Sequence, residues 1–357
     1  MKVGIVTYHF VRSYGAVWQA TGLCQALRRL GATPTIIDYR PLAQKRYYQS
    51  MCWNSPTAPL RLLKEWAFRR YVKRELPVAT PEFNDFTSIS RGDFSSYDAL
   101  ICGSDQIWHR EEHGGVDPTY FLGFIHDARI RKIAYAASCG STADYSAAER
   151  ARFGPLLQEF LAIGVRDRNT ESMVQSVAGR SATRVLDPTL IGDMAAICRR
   201  TGWENRDYVC VYSPLRQVAE AAFTVGRQWG MPVVSLQHPH RGADRNHPFI
   251  DPGTCLGYLR HARAVLTSYF HGTLLSIVFR RNFRTISDGA RHLKITSVLQ
   301  DLGLMAAYHQ SPAEARDSLL AGEELPYSAA ESELARRIRD SEEFLRAALA
   351  ATRASTP

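Results

Sequence analysis

The sequence is short of the features that mark membrane, secreted and metal-centred proteins. No apolar stretch in its 357 residues approaches the roughly 18–20 that a spanning helix needs. Its opening, Met1-Lys2-Val3-Gly4-Ile5-Val6-Thr7-Tyr8, has too short an apolar segment for a signal peptide and reads directly as a strand. The seven cysteines (Cys24, Cys52, Cys102, Cys139, Cys198, Cys210 and Cys255) are scattered, odd in number and without a C-x-x-C. That pattern fits buried free thiols in a reducing cytoplasm, and no zinc site is expected. Internal repeats and low-complexity segments are absent, and no stretch resembles a nucleic-acid-binding module.

What remains is a globular composition, 45% apolar and 22% charged, on a chain long enough for two domains of roughly 150–200 residues. The net charge of +9 is uneven. Between Arg40 and Leu76 nine lysines and arginines face only Glu65 and Glu75, interleaved with Tyr47, Tyr48, Met51, Trp53, Trp66, Phe68 and Tyr71. Such a stretch suits a peripheral contact with the inner membrane surface, or a pair of amphipathic helices with solvated basic faces.

Strand and helix patterns alternate along the chain. In the first half, strands are expected over Lys2–Tyr8, Thr35–Asp38, Tyr97–Cys102, Lys132–Ser138, Leu161–Val165 and Arg184–Leu186. Helices are expected over Gly15–Leu30, Ala147–Phe160 and Met194–Arg200. The second half repeats the pattern, with strands over Tyr208–Tyr212, Pro232–Gln237, Ala264–Thr267 and Phe283–Ile286. Its helices fall over Gln217–Trp229, Thr254–His261, His271–Arg280 and Lys294–Leu302, and Glu331–Thr352 makes a late charged helix. This alternation argues parallel sheets with crossover helices. The expected fold is therefore α/β and GT-B-like, two Rossmann-like parallel-sheet domains facing a cleft. The boundaries fall at 1–195 for an acceptor-side domain and 205–310 for a donor-side domain, with 311–357 as a helical tail.

Chemistry is expected where strands end, since open α/β sheets bind ligands at the carboxyl ends of their strands. The apolar run Ala264–Leu266 breaks at Thr267-Ser268 and passes into a helix near His271-Gly272-Thr273. Backbone N–H groups of Gly272, Thr273 and Leu274 at that helix start would favour an anion, with His271 at its mouth. Gly103-Ser104-Asp105-Gln106 follows another apolar strand, offering Asp105 as an acid or base. Ser13-Tyr14-Gly15 closes the first β-α loop without forming G-x-G-x-x-G. Arg166 and Arg216 each follow a strand, and their planar forks match carboxylate and phosphate. His238 and His240 have no visible third ligand, so no metal is expected there.

Several of these pieces, in order, resemble the polysaccharide pyruvyl transferase family, from residue 1 to about Leu304. The segments are Lys2–Thr7 with Tyr14-Gly15-Ala16-Val17-Trp18-Gln19, Gly103-Ser104-Asp105-Gln106-Ile107-Trp108, Tyr120–Phe124, Tyr135–Ser138, Val165-Arg166-Asp167, Leu186–Leu190 and Phe270-His271-Gly272-Thr273. The resemblance implies transfer of a pyruvyl (carboxyethylidene) group from phosphoenolpyruvate to two hydroxyls of a sugar in a polysaccharide or lipid-linked glycan, giving a ketal and phosphate. It implies phosphoenolpyruvate as co-substrate and no further cofactor. His271 and Asp105 are then the catalytic candidates. Arg216, Arg166, Gly272, Thr273 and Lys294 are candidates for the donor, and Tyr14 and Gln106 for the acceptor.

The chain departs from the family pattern at Ser13, where many members have Asn, and at Ser268-Tyr269, where many have Asp-Ser. Some members carry an arginine at the position of Tyr269, and an arginine is usual at Lys294. A GT-B glycosyltransferase with a nucleotide-sugar donor, or a non-catalytic glycan-binding relative, would fit the same strand ends. Donor specificity separates the three.

Overall fold

A computed structural model describes residues 1–46, 58–110, 115–142, 145–287 and 292–351, with the backbone alone for 58–61. The expectations for Tyr47, Tyr48, Met51, Cys52 and Trp53 lie outside the described residues. The chain divides into two compact units, Met1–Pro59 with Arg69–Gly192 and Arg337–Pro357, and Leu60–Phe68 with Asp193–Arg336.

Unit 1 carries a six-stranded parallel sheet of β1 (Lys2–Val6), β2 (Thr33–Ile36), β3 (Ala99–Cys102), β4 (Arg131–Ala137), β5 (Ala162–Val165) and β6 (Thr183–Arg184), in the order β2-β1-β3-β4-β5-β6. All four residues of β3 are buried, as are the last six of β4, because helices cover both faces of a parallel sheet. Tyr14–Arg29 is one of those helices, and its core-facing residues Trp18, Leu23 and Leu27 have no exposed surface.

Unit 2 carries a second parallel sheet of β7 (Val209–Tyr212), β8 (Val233–Leu236), β9 (Arg245–His247), β10 (Ala264–Thr267), β11 (Asn282–Ile286) and β12 (Tyr308–His309). The order β9-β8-β7-β10-β11-β12 is that of the Rossmann fold. Strand order reverses between β1 and β3 in unit 1, and between β7 and β10 in unit 2. Those two points are where sheets of this kind hold ligands.

Some elements differ from the expected ones. Met194–Ile197 forms turns rather than a helix. The helices Arg168–Ala178 and Pro312–Leu320 add to the expected ones; the first buries Thr170, Met173 and Val174 and packs Val177 and Ala178 against the core. The basic segment contains one long helix, Ala58–Glu75, which buries Phe68 and Tyr71 and exposes Leu62, Leu63 and Trp66. The late helix runs over Tyr327–Ala350.

Among the described residues Cys24, Cys102, Cys139, Cys198, Cys210 and Cys255 are unbridged, and all but Cys198 are buried. No described helix is long and apolar enough to cross a membrane.

Candidate functional site

At the reversal point of unit 2, β10 ends at Thr267 and the helix Phe270–Val278 begins with Tyr269 as its N-cap residue. Two side chains make this turn. Thr267 Oγ1 donates to the Tyr212 carbonyl at 2.7 Å and accepts from the Tyr269 N–H at 3.1 Å. Ser268 Oγ pairs with Ser213 Oγ at 2.8 Å, joining the ends of β10 and β7. Gly272 is required by contact, since a Cβ there would stand 2.2 Å from Thr267 Oγ1 and 2.9 Å from the Tyr212 ring.

The helix starts one residue earlier than expected, which changes its amide inventory. The Thr273 N–H already donates to the Tyr269 carbonyl at 3.0 Å, so Phe270, His271 and Gly272 are the positions ahead of the helical ladder. The Thr273 hydroxyl is turned inward, 3.1 Å from Tyr269 O and donating to Thr285 Oγ1 at 2.9 Å. His271 is half-buried in the first turn, its ring edge-on to Phe270. The apolar stripe expected of this helix is broader than a stripe, as six consecutive residues, Gly272–Ile277, are buried.

The loop after β8 closes over the same point. His238 Nε2 lies 2.6 Å from the Tyr269 hydroxyl, and His240 Nε2 lies 2.9 Å from the Ser213 carbonyl. Burial, then the charges of Lys64 and His240, push the His238 imidazole down to about 4. A loop that reads as a mobile cationic surface is thus tied by two histidines to β7 and β10, and its last residues form β9. Sequence carried no sign of the His238–Tyr269 pair, whose members are 31 residues apart.

In unit 1 the corresponding turn follows β3. Gly103 has φ +112 and no room for a Cβ, which would meet the Tyr135 carbonyl oxygen at 2.1 Å. The Gly103–Ser104 peptide is cis, and Asp105 follows at φ +84, a left-handed conformation costing about 1–3 kcal/mol in a non-glycine residue. Gln19 holds the turn from the helix Tyr14–Arg29, accepting from the Ser104 N–H at 3.1 Å and donating to Thr7 Oγ1 at 2.9 Å.

Asp105 Oδ1 accepts from the Gln106 N–H at 2.9 Å and lies 3.6 Å from Arg166 Nη2. The Arg166 side chain is 5% exposed and donates to Asp187 Oδ2 at 2.9 Å, with the Asp187 side chain 2% exposed. Burial opposes the guanidinium charge, but Asp187, Asp105 and Asp167 outweigh it and raise the Arg166 pKa. The Gln106 side chain lies against Gly140, where a Cβ would fall 2.1 Å from Gln106 Nε2.

The structure thus sorts the expected residues into two groups. Asp105, Gln106 and Arg166 come together in unit 1. His271, Gly272 and Thr273 come together in unit 2, with Tyr269 and His238 beside them. Tyr14 is 1% exposed and stacks on Trp18. Arg216 opens the helix after β7 with a side chain 87% exposed, paired with Glu220 at 2.7 Å. Lys294 is half-buried in the helix His292–Asp301.

A cavity of about 590 Å³ in unit 1 is lined by residues including Tyr39, Asn84, Asp85, Phe86, Asp117 and Arg152. Its Asp85 and Asp117 carboxylates each cap a helix start, which accounts for both.

Comparison with known proteins agrees with the fold. The chain resembles two solved structures over nearly its whole length. One is Arabidopsis thaliana UGT89C1 complexed with UDP, 13% identical, with TM-score 0.51, covering 98% of this chain and 100% of that one. The other is a Listeria monocytogenes protein described as a putative UDP-N-acetylglucosamine 2-epimerase, 9% identical, with TM-score 0.50, covering 97% and 90%. At such identities the likeness shows the fold alone, which is GT-B-like. No curated protein sequence matches the chain. The family model described as polysaccharide pyruvyl transferase matches residues 14–289, a span that contains both turns described above. The chain belongs to the polysaccharide pyruvyl transferase family.

Proposed function

We propose that the protein transfers a pyruvyl group from phosphoenolpyruvate to two hydroxyls of one sugar in a polysaccharide or lipid-linked glycan, with no cofactor beyond that donor. The observation that carries this reading is the first turn of the helix Phe270–Val278. It lies at the reversal point of a Rossmann sheet and inside the family match, with His271 beside amides that precede the ladder. Such a turn suits a phosphate, through both its N–H groups and its dipole.

The reaction balances without an oxidant or reductant. The donor's methylene carbon takes a proton and becomes a methyl group, leaving the adjacent carbon electrophilic. One sugar hydroxyl adds to that carbon and phosphate departs, then the second hydroxyl closes the ketal. Of the two hydroxyl protons released, one balances the new methyl hydrogen and the other leaves with phosphate. His271 is assigned as the acid to the methylene or the hydrogen-bond donor to leaving phosphate, and Asp105 as the base for a sugar hydroxyl. Arg216 and Lys294 are the unit 2 cations assigned to the donor's anionic groups, and Gln106 is assigned to the acceptor. Arg166, fixed between Asp187 and Asp105, is assigned to holding Asp105.

The lipid-linked form of the acceptor and a cytoplasmic, membrane-peripheral location draw support from the helix Ala58–Glu75. It exposes Leu62, Leu63 and Trp66 (60% exposed) among basic residues. The test of the donor is thermal stabilisation. Phosphoenolpyruvate should raise Tm, whereas UDP- and GDP-sugars should not. Stabilisation by a nucleotide sugar alone would replace this reading with glycosyl transfer.

A further inference from the structure

Ser287 stands just past the end of β11 and is 6% exposed, yet its hydroxyl has no hydrogen-bond partner among the described residues. A buried hydroxyl in that condition is uncommon, and one place where it occurs is a site that awaits a ligand. Its backbone is pinned, since the Tyr308 hydroxyl donates to the Ser287 carbonyl at 2.9 Å and lies 2.7 Å from His292 Nδ1.

Register says which way the hydroxyl faces. Thr285 is directed at the helix Phe270–Val278, because its Oγ1 accepts from Thr273 Oγ1 at 2.9 Å. Side chains two apart along an extended segment share a face, so Ser287 faces the same helix as Thr285. From Thr285, still paired within the sheet, to Ser287 the chain climbs roughly 6–7 Å, ending one residue past the carboxyl end of β11. From Thr273 back to Phe270 the helix climbs about 4–5 Å in the same direction, since it runs against the strands. The hydroxyl and the helix's first turn therefore arrive at one level on one face.

We propose that Ser287, together with the first turn of the helix Phe270–Val278, forms the pocket that takes the phosphate group of a phosphorylated donor, the serine hydroxyl donating to a phosphate oxygen. The inference rests on the donor reading above and adds to it a residue on a neighbouring strand. Two groups from different elements would grip the phosphate from different directions, fixing its orientation as well as its charge. Ser287 is a binding residue here, and no proton transfer is assigned to it.

The test compares the parent protein with Ser287→Ala, using inorganic phosphate and phosphoenolpyruvate as probes in calorimetric titration. A melting curve of each unliganded protein accompanies it. The expected result is a Kd raised about tenfold or more for both probes, the range of a hydrogen bond to a charged group. Unliganded Ser287→Ala should melt at the parent's temperature or above it, because an unpartnered buried hydroxyl is a cost that alanine removes. Equal Kd values in parent and variant would overturn the proposal while leaving the donor reading intact. A melting temperature lowered by several degrees would also overturn it, showing that the hydroxyl serves the fold. A parent protein that binds neither probe would overturn the donor reading and this inference with it.

Discussion

His238 Nε2 and the Tyr269 hydroxyl stand 2.6 Å apart, with their rings stacked at 26°. The pair anchors the loop after β8 to the turn that precedes His271. Burial and the nearby positive charges hold the His238 pKa at about 4, against about 6.5 for an unconstrained imidazole. Between those values the unfolded chain binds the proton and the folded one does not. Stability therefore rises with pH across this window and is lost as pH falls from about 6.5 toward 4. In His238→Gln, which keeps a polar partner for Tyr269, the Tm-against-pH curve should be flatter over that interval. Parallel curves for the two proteins would show that His238 titrates normally in the fold.

Arg166 is fixed between Asp187 and Asp105, so removing one charge from this buried set should be felt throughout unit 1. Asp187→Asn keeps an oxygen to cap Thr189 but leaves the Arg166 charge short of its closest carboxylate. Breaking a buried pair in this way costs about 3–5 kcal/mol. Urea unfolding of Asp187→Asn should show a loss of that order at unchanged m-value. A change under about 1 kcal/mol would mean that water reaches the pair and screens it.

Much of the frame was legible because parallel strands are buried on both faces and read as apolar runs. Ala264–Thr267, Val209–Tyr212 and Ala99–Cys102 announce themselves, and the turns after them place His271 and Asp105 at ligand-binding ends. Elements that bury little could not be read in the same way. The strands Arg245–His247 and Tyr308–His309 lie at the sheet's edges and are short and polar, and Arg168–Ala178 shows the core only a few residues. Pairings across the fold were also silent. Nothing local to His238 names Tyr269, nothing local to Arg166 names Asp187, and a serine after a strand does not announce that its hydroxyl is buried alone.

The placement of Arg216 sets the size of its expected effect. Its side chain is almost fully exposed and shared with Glu220, so a donor contact would replace an ion pair that water already weakens. Arg216→Ala is expected to weaken phosphoenolpyruvate binding by about 0.5–1.5 kcal/mol, the net worth of an ordinary hydrogen bond. An unchanged dissociation constant, measured alongside Lys294→Ala, would assign the donor's carboxylate to Lys294.

Leu62, Leu63 and Trp66 are exposed on a helix whose other residues include Lys64, Arg69, Arg70, Lys73 and Arg74. Attraction of such a face to anionic lipid combines apolar insertion with charge, and the charge part is screened within about 10 Å at 0.1 M salt. Co-sedimentation with phosphatidylserine-containing vesicles should fall steeply between low and high salt, and fall further in Trp66→Ser. Binding that is absent at low salt, or insensitive to salt, would remove this helix as a membrane contact.

In the proposed reaction His271 does the chemistry at the start of its helix. The N-cap position of that helix belongs to Tyr269, which makes no side-chain capping bond, and His271 lies in the first turn. Acid–base groups contribute about 10²–10⁴-fold to turnover. The decisive measurement is acceptor-dependent phosphate release from phosphoenolpyruvate by the parent protein and by His271→Ala, with melting curves to establish that both are folded. The expected result is release by the parent and a loss of about 10²–10⁴-fold in the variant. A folded His271→Ala that turns over within a few-fold of the parent would contradict it.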